Sequence, residues 1–164
     1  MIEENKSFWE NCGHTYEEHV DVDNQDLKNR VMFGTYESGR FDGQGKSICS
    51  RFSSEKIAKI AIERAIEIRC SEIEEWMKLG YQEEIIVTVN FSKAIGVGYA
   101  KGTNLRKDPY LMYSICVVLR ADAHFRSYSI VTAYPTPNRN VGKQIAKDKK
   151  AFYEERRARR TQRQ

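Results

Sequence analysis

The segment Tyr128-Ser129-Ile130-Val131-Thr132-Ala133-Tyr134 has the alternation of a strand. On a regular strand Tyr128, Ile130, Thr132 and Tyr134 share one face, and Ser129, Val131 and Ala133 share the other. Thr132 and Tyr134 then present two hydroxyls side by side, about 7 Å apart along the strand. Far upstream, His19 and Arg30 stand eleven residues apart. A histidine titrates near neutrality and suits proton transfer. An arginine stays charged and can bond two phosphate oxygens in a fork. Hydroxyl donors add stabilisation where negative charge develops on a phosphoryl group. Spacing alone leaves ordinary readings open: a half-exposed strand, a capping histidine and a solvated arginine.

Other spacings fail chemically. Gly39-Arg40-Phe41-Asp42-Gly43-Gln44-Gly45-Lys46-Ser47 looks like a phosphate loop, but the first glycine of G-x-x-x-x-G-K-S falls on Arg40. An ATP site is not expected. His14 and His19 are five residues apart rather than four. At about 100° per residue they diverge by about 140° on a helix, so the zinc-protease arrangement is not met. No Cys/His set has zinc spacing, and Cys12, Cys49, Cys70 and Cys116 are scattered. Neither a metal nor a cofactor is expected. Gly96-Val97-Gly98 precedes no helix, so it predicts a bulge or a close backbone approach rather than a dinucleotide site.

Positioning these residues requires helices first and strands after. Asn11-Cys12-Gly13 is a turn, and Thr15-Tyr16-Glu17-Glu18 has the form of a capping box, which predicts a short helix from Thr15. Leu27 and Val31 predict a second short helix over Asn24–Phe33 that carries Arg30. Residues 34–50, with four glycines, read as a long loop. Ile57, Ile60, Ala61, Ala65, Ile68, Ile73, Trp76 and Met77 predict one helix over 54–79, capped by Ser53 or Ser54 and ended by Gly80. Strands are expected over Glu84–Phe91, Lys93–Ala100 (strand or bend), Tyr110–Arg120 and Ser127–Tyr134. The last two form a hairpin through Ala121–Arg126, and Pro135 closes the final strand. Residues 138–164 read as a helix that packs lightly or frays. This order is α+β, not doubly wound.

The chain has 164 residues, 40% of them hydrophobic and 30% charged, which fits one domain with a real core. No stretch approaches a membrane span, and Met1 to Lys6 do not read as a signal peptide. Charge is uneven. Residues 1–137 carry 17 Lys+Arg against 20 Asp+Glu, while residues 138–164 carry 10 against 3. Such a tail can attract nucleic acid or an acidic partner, or simply be a solvated helix. Scattered cysteines suit a reducing compartment, with Cys116 buried. His124, in the 121–126 turn, is expected at the surface.

With these residues in view, the chain resembles the bacterial RNase A-like toxin domains at the C-termini of contact-dependent inhibition (CdiA-type) and other polymorphic toxins. The resemblance rests on Gly13-His14-Thr15-Tyr16-Glu17-Glu18-His19-Val20, on Leu27 to Arg30, and on Ser50-Arg51-Phe52, which looks like the family's serine-phenylalanine loop. It continues through Ile73 to Met77, Val117 to Arg120 and Tyr128 to Pro135. It covers roughly residues 12–137, and its two ends are the specific parts. It implies N-terminal helices followed by a small twisted antiparallel sheet, the α+β arrangement of barnase, EndoU and RelE-type nucleases. The nuclease domain is then 1–137, with 138–164 a basic helical tail outside the resemblance. By motif position the implied catalytic groups are His19, Arg30, Thr132 and Tyr134, with His14 a possible auxiliary.

The activity implied is a metal-independent endoribonuclease. RNA can be cut without a metal because its own 2′-OH can attack the adjacent phosphorus, leaving a 2′,3′-cyclic phosphate. The implied partners are an RNA substrate, with tRNA one candidate, and a cognate immunity protein. The implied setting is a secreted or cell-surface toxin acting in a target-cell cytoplasm, and a monomer is expected. Two other readings stand beside this one. The first is a non-catalytic RNA-binding module, with Tyr128 or Tyr134 stacking a base. The second is a protein-interaction domain.

Overall fold

A computed structural model of the chain describes residues 2–163. Helix α1 spans Ile2–Glu10, α2 Thr15–His19 and α3 Asn24–Phe33. A short hairpin, β1 (Tyr36–Glu37) with β2 (Arg40–Phe41), leads to β3 (Ile48–Phe52). Helices α4 (Glu55–Ile68) and α5 (Cys70–Leu79) follow. Strands β4 (Glu84–Asn90), β5 (Gly96–Ala100), β6 (Tyr110–Met112), β7 (Ser114–Ala121) and β8 (Tyr128–Thr136) complete the body, and α6 (Arg139–Gln162) ends the chain. The order is α+β, as the periodicity predicts. No helix is long and apolar enough to cross a membrane among the described residues.

Two three-stranded antiparallel sheets share the second half, in the orders β3-β5-β6 and β4-β7-β8. The chain breaks only at Tyr113 between β6 and β7, so one nearly continuous strand passes from the first sheet to the second. Tyr113 O accepts from Phe91 N across that break. Helices α4 and α5 cover the β4-β7-β8 sheet. Ala58, Ala61, Ile62, Ala65, Ile73 and Trp76 pack there against Val87, Val89, Ile115, Val117, Leu119 and Ala133. Small alanines on α4 let that helix lie close to the β-branched face. Trp9 fixes α1 to this layer by donating to Glu55 Oε1 at 2.8 Å.

Several expectations change in the folded chain. Residues 34–50 are not one loop: they hold the β1–β2 hairpin and the start of β3. Ser50-Arg51-Phe52 is accordingly strand, not loop. The helix over 54–79 is two, broken at Arg69, whose side chain reaches out to donate to Thr88 O. Ser54 caps α4 by accepting from Ile57 N, and Gly80, at φ 63°, ends α5. Gly96 meets the expected close approach: a Cβ there would lie 2.2 Å from Arg51 O and 2.5 Å from the Pro135 ring.

The largest correction concerns β8. The β7–β8 register pairs Val118 with Thr132 but Leu119 with Ile130, leaving Val131 as an extra residue. The bulge splits the expected face. Tyr128 and Ile130 turn to the helix side, where Ile130 packs against the core and Tyr128 lies 6.4 Å from Trp76. Thr132 and Tyr134 point the other way. Pro135 does not close the strand either; it pairs opposite Ile115, and β8 runs on to Thr136. A proline fits because β8 lies at the end of its sheet and needs no outward N–H there.

The outward edge of β8 is satisfied by α2 and β3. Val131 O accepts from His14 N at 3.2 Å. Ala133 N donates to Thr15 Oγ1 at 2.9 Å, and Pro135 O accepts from Ser50 Oγ at 2.5 Å. Thr15 is therefore no capping residue: its hydroxyl donates to Cys12 O at 2.7 Å and accepts from β8. Gly13, at φ 58°, is required where the turn crosses this edge, since a Cβ would lie 2.0 Å from Val131 O.

The Thr15 hydroxyl therefore satisfies two buried backbone groups. Thr15→Val, nearly isosteric, should destabilise the protein by about 1–3 kcal/mol, and Thr15→Ser should retain most of the stability. Urea midpoints check this; a valine variant as stable as wild type would remove the bridge as a structural element.

Candidate active site

Four positions expected from the resemblance meet in one place. His19, Arg30, Thr132 and Tyr134 all line a cleft of about 520 Å³, together with Lys46 and Ser50. They come from three elements: the end of α2, the last turn of α3, and β8 beyond its bulge. Without the bulge, Thr132 and Tyr134 would share a face with Ile130, which packs against the core.

His19 is held by its ring. Nδ1 lies 2.8 Å from Ser50 O. A carbonyl only accepts, so Nδ1 carries the proton and a neutral ring keeps its lone pair on Nε2. Nε2 lies 3.7 Å from Glu18 Oε2. The imidazole sits 5.3 Å from the Tyr134 ring, and its side chain is 15% exposed. Burial pushes its pKa below the ordinary 6.5. The Ser50 carbonyl and the Glu18 carboxylate oppose that shift, and the Arg30 charge adds to it.

Arg30 is anchored at the end of α2, where its Nη1 donates to Glu18 O at 2.6 Å. A guanidinium has further N–H groups in the same plane, so a fork toward an anion remains. α3 carries it on a capped start: Asp23 and Asp26 close a reciprocal capping box. Tyr134 lies opposite Cys116 on β7. Burial first, and the neighbouring thiol second, raise its hydroxyl to about 12. Near neutrality Tyr134 is a donor, not an anion. Thr132 Oγ1 is buried and has no hydrogen-bond partner among the described residues. A buried hydroxyl facing a polar cleft without a partner is suited to a ligand oxygen.

His14 stays apart. Its side chain is exposed and does not line the cleft, and its backbone N–H serves the β8 edge. His124 is exposed in the turn, as expected. Cys12, Cys49 and Cys116 are buried free thiols, and Cys70 is exposed.

Two contributors have no role that residue type or the resemblance assigns, although Ser50 lies in the Ser50-Arg51-Phe52 motif. Lys46 belongs to the failed phosphate-loop pattern, yet it lines the cleft, and its backbone N donates to Arg30 O at 3.1 Å. Burial raises the Cys49 thiol pKa, and the Arg30 and Lys46 charges oppose that rise. Ser50 orients His19 through its carbonyl, which no side-chain pattern reveals. The cleft also holds the carboxylates of Glu17, Glu18 and Glu37, so its cations are partly balanced.

This small α+β body with a histidine-arginine-hydroxyl cleft has matching relatives. The bacterial CdiA-CT RNase A domain family matches residues 13–135, and the chain belongs to that family. A solved CdiA-CT/CdiI complex from Y. kristensenii shares the fold, with a TM-score of 0.62 at 21% identity. The likeness covers 76% of this chain and 100% of that one. No curated protein matches the chain. The family match starts at Gly13 and stops at Pro135, so α6 lies outside it.

The His19 environment has a direct readout. Histidine NMR should give a titration midpoint below 6.5 for His19 and the Nδ1–H form when neutral. Glu18→Gln removes a charge that favours the imidazolium, so it should lower the midpoint further. A midpoint above 6.5, or an upward move in the variant, would contradict this environment.

Proposed function

We propose that this chain is a metal-independent endoribonuclease toxin domain that cuts RNA by transphosphorylation, leaving a 2′,3′-cyclic phosphate and a free 5′-hydroxyl. The convergence of His19, Arg30, Thr132 and Tyr134 on one cleft carries the reading. His19 Nε2 takes the proton from the 2′-OH. The 2′-oxygen then bonds to phosphorus, and the bond from phosphorus to the 5′-oxygen breaks. The departing 5′-oxygen takes up a proton from water as it leaves, and the imidazolium returns its proton to solvent, so the ring ends neutral. Arg30 bonds the non-bridging oxygens in a fork and balances the growing charge. Thr132 Oγ1 supplies the unpartnered hydroxyl that positions the phosphate. Tyr134 donates a hydrogen bond to the phosphoryl group; with its hydroxyl near 12, it does so as the neutral phenol. His14 has no part in these steps.

In this reading residues 1–137 are the nuclease unit and 138–164 an appended helix. The unit is delivered as part of a secreted or cell-surface protein and acts in the cytoplasm of a target cell. A cognate immunity protein neutralises it by covering the cleft. RNA is the substrate, with tRNA one candidate.

Purified protein in excess EDTA should cleave total RNA to cyclic-phosphate ends. His19→Ala should lose roughly 10²–10⁴-fold in rate while remaining folded, and His14→Ala should stay close to wild type. Intact RNA with the wild type, or equal cleavage by His19→Ala, would overturn the reading.

The pH profile gives a separate test. A general base must be neutral to accept a proton, and burial lowers the His19 pKa. The acid limb of kcat/KM on a dinucleotide should therefore fall below pH 6.5. An acid limb centred above 6.5 would assign the base elsewhere.

A further inference from the structure

Helix α6 carries a feature the cleft does not use. It is 24 residues long, about 36 Å at 1.5 Å per residue. Its inner face is defined by three contacts with the body. Ile145 is buried, Phe152 is half-buried, and Asp148 accepts from Tyr110 Oη at 2.6 Å. From residue 153 to residue 163 every side chain is exposed, with Glu155 still lining a groove beside Tyr99 and Asn104.

Five of the ten cations between residues 139 and 163 share the outer face; the other five, Lys149, Arg156, Arg159, Arg160 and Arg163, lie on the side of Ile145 and Phe152. Arg139, Lys143, Lys147, Lys150 and Arg157 follow one another at helical spacing. At about 100° per residue they fall within an arc of about 80°, centred opposite Ile145, Asp148 and Phe152. All five are exposed, and none forms an ion pair among the described residues. Glu154 is the carboxylate within this arc. The other acidic side chains of α6 are engaged on different faces: Asp148 with Tyr110 and Gln144, Glu155 with Arg159. The stripe covers nineteen residues, about 27 Å from Arg139 to Arg157. It also starts beside the cleft, because Thr136 lines the cleft and Arg139 opens the helix three residues later.

A cationic rail of this length fits a polyanionic chain with regularly spaced charges. The body cannot supply that attraction, since residues 1–137 are net acidic and the cleft holds three glutamates. We propose that the outer face of α6 is a second RNA-binding surface, holding the phosphate backbone of the substrate where it leaves the cleft. This rests on the ribonuclease reading for the cleft and adds the preference it creates. Long RNA is captured through α6, whereas a dinucleotide uses the cleft alone. Binding is mainly electrostatic, set by phosphates rather than by base sequence.

The test compares Lys143→Gln/Lys147→Gln/Lys150→Gln with Lys56→Gln/Lys78→Gln/Lys93→Gln. The second triple removes the same charge from exposed sites elsewhere. Binding is measured in the His19→Ala background, with a tRNA-length RNA, across a salt series. Dinucleotide cleavage is measured with His19 intact. The α6 triple should weaken RNA binding roughly 100-fold at 0.1 M salt and flatten the salt slope by about 2, from about 0.7 per lost contact to single-stranded RNA. Its dinucleotide kcat/KM should match wild type, and the control triple should change binding far less. Unchanged binding by the α6 triple would overturn the proposal, including the case in which the stripe meets a protein instead. An equal loss in both triples would also overturn it, by reducing the effect to net charge. A wild type that fails to cleave the dinucleotide would instead sink the reading of the cleft, which the binding series does not depend on.

Discussion

The exposed edge of β8 is the constraint on which the site depends. A strand at the end of a sheet leaves backbone donors and acceptors unpaired, and buried ones are costly. Here Val131 O, Ala133 N and the Pro135 backbone are handled by different devices. His14 N–H serves Val131, the Thr15 hydroxyl serves Ala133, and a proline removes the next donor while Ser50 takes its carbonyl. The same contacts bring α2 against β8 at one end and β3 at the other. His19 ends α2 and Ser50 lies within β3, so closing the edge also sets the imidazole against its carbonyl partner.

The bulge at Val131 links that edge to the cleft. An extra residue turns the strand over, so residues before it serve the core and residues after it serve the site. Ile130 thus contributes packing, while Thr132 and Tyr134 contribute hydroxyls. Val131 is also the residue whose carbonyl receives His14 N–H. The irregularity that releases the hydroxyls is therefore held in place by the segment that brings the histidine.

Electrostatically the cleft is a compromise. Arg30 and Lys46 attract an anion, while Glu17, Glu18 and Glu37 weaken the field around them. Glu18 has a specific use: its backbone carbonyl anchors Arg30, and its carboxylate opposes the lowering of the His19 pKa. A cleft balanced in this way binds a phosphate by directed hydrogen bonds more than by net charge. The strongly basic surface lies instead on α6, a helix that packs on the β6 side of the body and carries five of its cations on the face turned away from it.

Much of this was legible in the residues. Apolar spacing marks α3, the helical stretch that divides into α4 and α5, β4, the stretch that divides into β6 and β7, and β8, because burial of one face imposes a period on the chain. The resemblance placed His19, Arg30, Thr132 and Tyr134, and these do line one cleft. β3 was not legible, since four glycines and many polar residues read as loop until β5 and β8 flank it. The break at Arg69 was hidden because apolar residues continue across it. Thr15 had the pattern of a cap, but its hydroxyl is used by a strand 118 residues away. Local spacing determined most of the helices and strands, though not α1, the β1–β2 hairpin or β3, and which side chains are chemically able. The tertiary structure decided the face of Thr132 and Tyr134, the ring orientation of His19 and the place of Lys46. Each of those depends on a backbone group distant in sequence, and a backbone group leaves no mark in the pattern of side chains.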